Sequence, residues 1–129
     1  MKPEDFSYVI ESSRDFEETV ISVIRAVEQK GWALFQVYDI KERLAAKGFP
    51  QEKLKIIEIC SGRHAHNFLN KNRLISLCLP CKINVYEENG KVNIAGMKPT
   101  LISQLFPEIS LEEARIVEKE LEEMIDSAR

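Results

Sequence analysis

Apolar residues recur along the chain with two different periods, and this mixture predicts helices and strands in one fold. Apolar residues recur at helical spacing after Asp15 and, over a longer stretch, after Ser110. An acidic residue stands three positions after each of these two residues and completes a capping-box pattern. We therefore predict two amphipathic helices, whose apolar stripes are Phe16, Val20, Ile24 and Val27 in the first and Ala114, Val117, Leu121, Met124 and Ala128 in the second.

Strand-like segments lie between these helices. β-branched and aromatic composition predicts strands at Phe6 to Ile10, Trp32 to Tyr38 and Leu54 to Cys60. In the stretch from Lys82 to Met97, two alternating arms flank Asn89-Gly90, a pair of residues that tolerate positive φ, which predicts a type I′ hairpin. A two-residue turn pairs Val85 with Ile94 and Ile83 with Gly96. Cys81 shares the parity of Ile83 and Val85, so we expect it to face the core.

The order of these elements favours an α+β fold. Short helices are predicted after Asp39, over residues 63–71 and after Pro99. The hairpin makes the sheet largely antiparallel, so we predict a two-layer sandwich, with about five strands covered by helices on one face. A chain of 129 residues is the usual length of one domain, and we treat residues 1–129 as a single domain.

Composition narrows the functional classes. The net charge of −3 disfavours nucleic-acid binding, which needs clustered positive charge. There is no apolar run of 18 residues and no signal-peptide pattern, so we expect no membrane partner and a cytoplasmic location. Three cysteines in a reducing compartment are better interpreted as buried hydrophobes, metal ligands or reactive thiols than as a disulfide framework.

The candidate chemistry is confined to a short part of the chain, because every Cys and His falls within 22 positions: Cys60, His64, His66, Cys78 and Cys81. Cys78 and Cys81 form a C-x-x-C, a spacing that can chelate zinc or form a reactive disulfide. There is no second such pair, and a strand rather than a helix follows, so simple packing stays open. His64 and His66 would point to opposite sides of a helix, although His64 alone can join Cys60.

Cys60 is placed where a reactive thiol is physically favoured. It ends a predicted strand just before Ser61-Gly62-Arg63, so the N-terminus of the following helix and Arg63 would form a small anion pocket. A thiol beside such a pocket would be acidified. Burial as a small hydrophobic residue is the competing interpretation.

Three segments together resemble the domain of unknown function 302 family. They are the helix opened by Phe16 to Val20 and ending at Gly31-Trp32, the run Glu58-Ile59-Cys60 with the short helix after it, and the stretch from Leu79 to Val92. The resemblance covers residues 6–128. It implies a small bacterial or archaeal protein with the TATA-binding-protein-like β-α-β4-α architecture, and a homodimer.

The resemblance also bears on the cysteines. The residues that match the family's two cysteines are Cys60 and Cys81, whereas Cys78 and both histidines lie outside the pattern. Members often have Asn-Pro after the first cysteine, where this chain has Ser61-Gly62.

Three functional hypotheses follow, and the identity of any cofactor stays open among them. The first is a ligand-, metal- or haem-binding module around Cys60 and Cys81, with Arg63 and His64 as further ligand contacts and a metal set of Cys60, Cys78, Cys81 and His64. The second is thiol redox or sulfur transfer, with Cys81 or Cys60 as the nucleophile. The third is a protein-interaction module with structural cysteines.

A homodimer is also predicted from the strand Trp32 to Tyr38. It contains no charge and no proline, the features that usually protect an edge strand, and its aromatic residues lie on both faces. The alternative is that this strand is central, between Phe6 to Ile10 and Leu54 to Cys60.

Overall fold

A computed structural model describes all residues from Met1 to Arg129. The helices are α1 (Pro3–Phe6), α2 (Phe16–Gln29), α3 (Ile40–Ala45), α4 (Gly62–Lys71), α5 (Thr100–Leu105) and α6 (Leu111–Ala128), with a 3-10 helix at Arg73–Cys78. The strands are β1 (Ser7–Glu11), β2 (Ala33–Asp39), β3 (Leu54–Cys60), β4 (Cys81–Glu88) and β5 (Lys91–Met97). The first strand begins one residue later than predicted, because Phe6 completes a helical turn that starts at a proline.

The five strands form one antiparallel sheet in the order β1-β5-β4-β3-β2. The predicted hairpin is confirmed in type and register, since Asn89 and Gly90 both have positive φ and Val85 pairs with Ile94. The α+β class, the antiparallel sheet and the β-α-β4-α order predicted from the sequence are therefore correct. Four additional short helices, α1, α3, α4 and α5, lie before or between the elements of the β-α-β4-α order and add no strand to the sheet.

The core lies between the sheet and the two long helices. Alternate residues of the central strands, among them Ile57, Ile83 and Ile94, are fully buried against the stripes of α2 and α6. The helices begin as predicted: Asp15 Oδ1 accepts a hydrogen bond from the Glu18 N–H, and Ser110 and Glu113 form a reciprocal capping box. The long stripe on α6 therefore starts at a fixed point relative to the sheet.

The opposite face of the sheet, which we call the open face, carries no long helix. Its central row runs across the five strands, as the register shows, through Val9, Ala95, Asn84, Ile56 and Tyr38. These side chains are half-buried or exposed rather than buried. A sheet with one core face and one solvated face is usual for antiparallel topology.

The strand β2 is an edge strand, so the alternative that placed it between Phe6–Ile10 and Leu54–Cys60 is wrong. It pairs with β3 on one side only, because β1 crosses to the other edge of the sheet beside β5. The register shifts between Leu34 and Gln36, which is a β-bulge beside Phe35.

None of the helices combines the length and the apolar character that crossing a lipid bilayer requires.

Candidate functional site

The three cysteines lie near one another at one end of the sheet. Cys60 ends β3, Cys81 begins β4, and the antiparallel register places Ile59 opposite Cys81. Cys78 ends the 3-10 helix that leads into β4. All three are free thiols and half-buried. The fold thus brings Cys60 and Cys81 together, as a binding module around these two residues requires, and Cys78 lies near them.

A small enclosed cavity separates Cys60 and Cys81 from α4 and α6. Its wall is mostly hydrophobic and includes Trp32, His64, Phe68 and Val117 beside the two cysteines. The volume is about 10 Å³. This is close to the smallest space that holds one water molecule, so the cavity does not accept an organic molecule without rearrangement.

His64 is held in the wall of this cavity by a carboxylate. Its Nε2 atom lies 2.6 Å from Glu120 Oε2, and Trp32 Nε1 donates a hydrogen bond of 3.1 Å to the other carboxylate oxygen. Burial opposes ionisation of Glu120, but these hydrogen bonds outweigh it and lower the pKa of that carboxyl. The result is a small polar cluster that joins α4, α6 and the start of β2.

The remaining contacts between α4 and α6 fix the position of His64. Both Lys71 and Asn67 donate hydrogen bonds to Glu113 Oε1. The bond from Lys71, together with those from Ser110, lowers the pKa of Glu113 to about 2. On the opposite side of α4, His66 is exposed and contacts Asn70, so the two histidines point apart as predicted.

The electrostatic state of the thiols disfavours nucleophilic chemistry. Burial raises the pKa of Cys60 and of Cys78, and no positive charge offsets this effect. The pKa of Cys81 rises to about 12, first through burial and then through repulsion from the other two thiolates. The predicted acidification of Cys60 by the start of α4 is therefore not found, because desolvation is the stronger effect there.

A second and larger cavity begins on the other side of Cys81. This cavity, which we call the open-face groove, has a volume of about 320 Å³. It runs past Cys78, Leu79 and Pro80 onto the open face of the sheet, where it is lined by Leu77, Lys82, Asn84 and Met97. Cys81 lines both the groove and the small cavity.

The groove exposes apolar side chains that a folded protein usually covers. Leu77 is 79% exposed and Met97 is 45% exposed, and Val9 extends the same surface along β1 at 46%. A contiguous apolar surface with polar neighbours is typical of a place where another molecule binds.

The polar groups of the groove are few. Lys82 is the one charged residue in its lining, and it takes part in none of the five ion pairs of the structure. Its cross-strand neighbour Glu58 instead accepts a 2.7 Å hydrogen bond from Tyr38. Asn84 Oδ1 is buried and accepts no hydrogen bond. Lys82 is therefore without an ion pair, and Asn84 Oδ1 is without a hydrogen bond.

The predicted site residues divide into two sets. Cys60, His64 and Cys81 line one cavity together, as the ligand-binding hypothesis requires, whereas Arg63 is exposed and lines neither cavity. The proposed metal set of Cys60, Cys78, Cys81 and His64 stays a prediction, and no group of three or more His, Cys, Asp or Glu residues that could hold a metal ion is present.

Three residues of the two cavities and their surroundings are not predicted from the sequence: Glu120, Lys82 and Asn84. Glu120 was one acidic residue among many on the outer side of α6, with nothing to single it out. Lys82 and Asn84 could have been found, since the hairpin register places both on the open face, next to residues that are mostly apolar.

Comparison with known proteins gives the same family as the sequence. Residues 8–128 match the family described as "Domain of unknown function DUF302". The structure is similar to the crystal structure of an uncharacterized conserved protein DUF302 from Bacillus stearothermophilus, with a TM-score of 0.89 and 31% identity over 96% of this chain and 98% of that chain. Among curated proteins, none matches. A match over nearly the full length in both sequence and fold shows that this chain belongs to the DUF302 family.

Proposed function

We propose that this protein is a small-ligand-binding module and that its ligand occupies the open-face groove, with Cys81 in the inner wall. The observation that carries the proposal is the groove itself. Its volume of about 320 Å³ lies within the range of roughly 300–1,000 Å³ that is usual for small-molecule sites. Its lining is mainly apolar with a few polar groups, which is the usual composition of such sites.

The hypothesis drawn from the sequence places the ligand between Cys60 and Cys81. The space between these thiols and His64 is about 10 Å³, which is far too small for haem. A ligand that contacts the cysteines therefore reaches Cys78 and Cys81 from the groove, and Cys60 and His64 form the layer behind them.

Redox or sulfur-transfer chemistry is a weaker candidate. It needs a thiolate at neutral pH, and all three cysteines have pKa values raised by burial. His64 makes no hydrogen bond to a thiol, and its Nε2 is bonded to Glu120. Neither a depressed pKa nor a neighbouring base is thus available to activate a nucleophile.

The groove can be tested with a neutral fluorescent probe, N-phenyl-1-naphthylamine, whose emission rises in apolar surroundings. We expect saturable binding to the wild-type protein. Leu77→Asp places a charge on the most exposed of the large apolar side chains in the groove lining and should weaken binding at least about tenfold, since it removes apolar contact and adds an unpaired charge.

Leu74→Asp is the matched control, because Leu74 lies in the same 3-10 helix and is 58% exposed but does not line the groove. Its affinity for the probe should equal that of the wild type. No saturable binding to the wild type, or equal weakening by both substitutions, contradicts the proposal.

We also propose that the protein forms a homodimer through the free edge of β2. The support is the exposure of this strand, where Phe35 is 57% exposed and Leu34 is also exposed. Its unpaired backbone groups can pair with the same strand of a second copy around a two-fold axis. Light scattering should give twice the chain mass of 14.9 kDa. Leu34→Lys should reduce it to the monomer value, and a wild type that is already monomeric contradicts the dimer.

A further inference from the structure

The charge pattern of the open-face groove limits the chemistry of its ligand. The protein has a net charge of −3, yet the groove lining contains no acidic residue and one lysine. A cation that has no carboxylate partner and stands beside an apolar surface is a ready contact for an anion. The carboxylate of its cross-strand neighbour, Glu58, forms no ion pair with Lys82 and accepts a hydrogen bond from Tyr38.

The groove combines an apolar wall with two polar side chains on one strand. Leu77, Pro80 and Met97 supply apolar wall, and Lys82 and Asn84 are two residues apart on the same face of β4. Side chains at positions i and i+2 of a strand lie on one face, roughly 7 Å apart along the strand. A ligand with an apolar body and a compact polar end matches this arrangement.

We propose that the groove binds an amphipathic organic anion, such as a medium-chain carboxylate, whose charged end pairs with Lys82 and whose apolar part covers Leu77 and Met97. This inference rests on the proposed function, because it specifies the ligand of the same groove. The lysine side chain contributes in two ways, since its methylene stem extends the apolar wall and its ammonium remains at the rim.

Asn84 adds a second feature to this ligand. Its buried Oδ1 atom accepts no hydrogen bond, and buried polar atoms are normally paired. Because this atom is buried, a hydroxyl close to the carboxylate of the ligand would donate the missing hydrogen bond once the Asn84 side chain turns towards the groove. The groove therefore favours a hydroxy acid over the simple acid of the same chain length.

The experiment measures the affinities of octanoate, 1-octanol, octylammonium and 3-hydroxyoctanoate through displacement of N-phenyl-1-naphthylamine. We expect octanoate to bind about tenfold more tightly than octanol, as for a hydrogen bond to a charged group, and octylammonium to bind more weakly than either. We expect 3-hydroxyoctanoate to bind more tightly than octanoate.

Two variants test whether Lys82 is responsible for the preference for octanoate over octanol. Lys82→Met keeps an apolar side chain of similar length, and it should remove the preference for octanoate over octanol while the neutral probe still binds. Lys41→Met is the matched control, since Lys41 is an exposed lysine on α3 that does not line the groove. It should leave all affinities unchanged.

The outcomes separate this inference from the proposed function. The groove remains a binding site but the proposal of an anionic ligand is wrong in either of two cases. In the first, the neutral probe binds but octanol and octanoate have equal affinities. In the second, Lys82→Met leaves the preference for octanoate intact. Equal affinities for octanoate and 3-hydroxyoctanoate overturn the role assigned to Asn84. If the probe does not bind, and calorimetric titration with the four compounds also detects no binding, both the inference and the proposed function are overturned.

Discussion

The pKa of Cys81 predicts a specific loss of stability at alkaline pH. Burial raises this pKa from its ordinary value of 9.0 to about 12, so the folded protein strongly prefers the neutral thiol. In the unfolded chain the thiol ionises near its ordinary value. The contribution of Cys81 to stability is therefore fully present below about pH 9 and is lost progressively as the pH rises towards 12.

The size of the effect follows from these two pKa values. At pH 10, one unit above the ordinary value of 9.0, the unfolded state gains about 1.4 kcal/mol from ionisation and the folded state gains almost nothing. Cys81→Ala removes the titrating group. Between pH 7.5 and pH 10 the wild type should therefore lose about 1.4 kcal/mol more of its unfolding free energy than the variant does.

Urea denaturation at the two pH values measures this difference. The chain has a single tryptophan, the buried Trp32, whose fluorescence reports unfolding. Each protein is compared with itself at two pH values, so the unfolding free energy that is lost with the packing of the Cys81 side chain cancels. An equal loss in the wild type and in Cys81→Ala would refute the argument, because it would mean that the Cys81 thiol has the same pKa in the folded and unfolded states.

Two further substitutions test the packing and the polar cluster behind the groove. Gly96→Ala should destabilise the protein by about 1–3 kcal/mol in urea denaturation, because its Cβ would lie 3.0 Å from Ile125 and 3.2 Å from Leu121 on α6; an unchanged midpoint would contradict this packing. For Glu120 the lowered pKa means that its contribution is present above its ordinary value of 4.5 and is lost as the pH falls below it. Denaturation between pH 6 and pH 3 should therefore show a smaller loss for Glu120→Gln than for the wild type, and identical losses would contradict the bonds to Trp32 and His64.

Local signals in the sequence were enough to predict the architecture. The hairpin could be predicted to the residue pair because Asn89-Gly90 admits one turn type, and the turn type then sets the register of Val85 against Ile94. The helix starts at Asp15 and Ser110 were equally local, since a capping residue and its partner are three positions apart.

The lateral order of the strands could not be predicted in the same way. Whether β2 is central or at an edge depends on which distant strand pairs with β5, and β1 takes that place. Both placements bury the same apolar residues of β3 and β4, so the hydrophobic pattern does not distinguish them. The uncharged stretch Trp32 to Tyr38 predicts a strand that is either paired with a second copy or central in the sheet. The bulge near Phe35 that modifies this edge has no sequence signal of its own.

The candidate site could be predicted only in part, because it too depends on contacts between distant segments. Cys60 and Cys81 were expected to meet because each stands at the end of a predicted strand. The groove arises elsewhere, from the 3-10 helix lying beside the open face of the sheet, which is a tertiary contact between distant segments. The raised pKa values of the thiols likewise depend on burial, which the sequence alone could not weigh against the nearby helix N-terminus.

The location of ligand binding is tested most directly by an NMR titration of ¹⁵N-labelled protein with N-phenyl-1-naphthylamine. The aromatic rings of this probe shift the amide signals of residues close to them. We predict that the largest shifts occur at residues 77–84 and 95–97, which surround the groove, and that His64 and Glu120 change little. Shifts centred on Cys60 and His64, or no shifts at saturating probe, would contradict the assignment of the groove as the binding site.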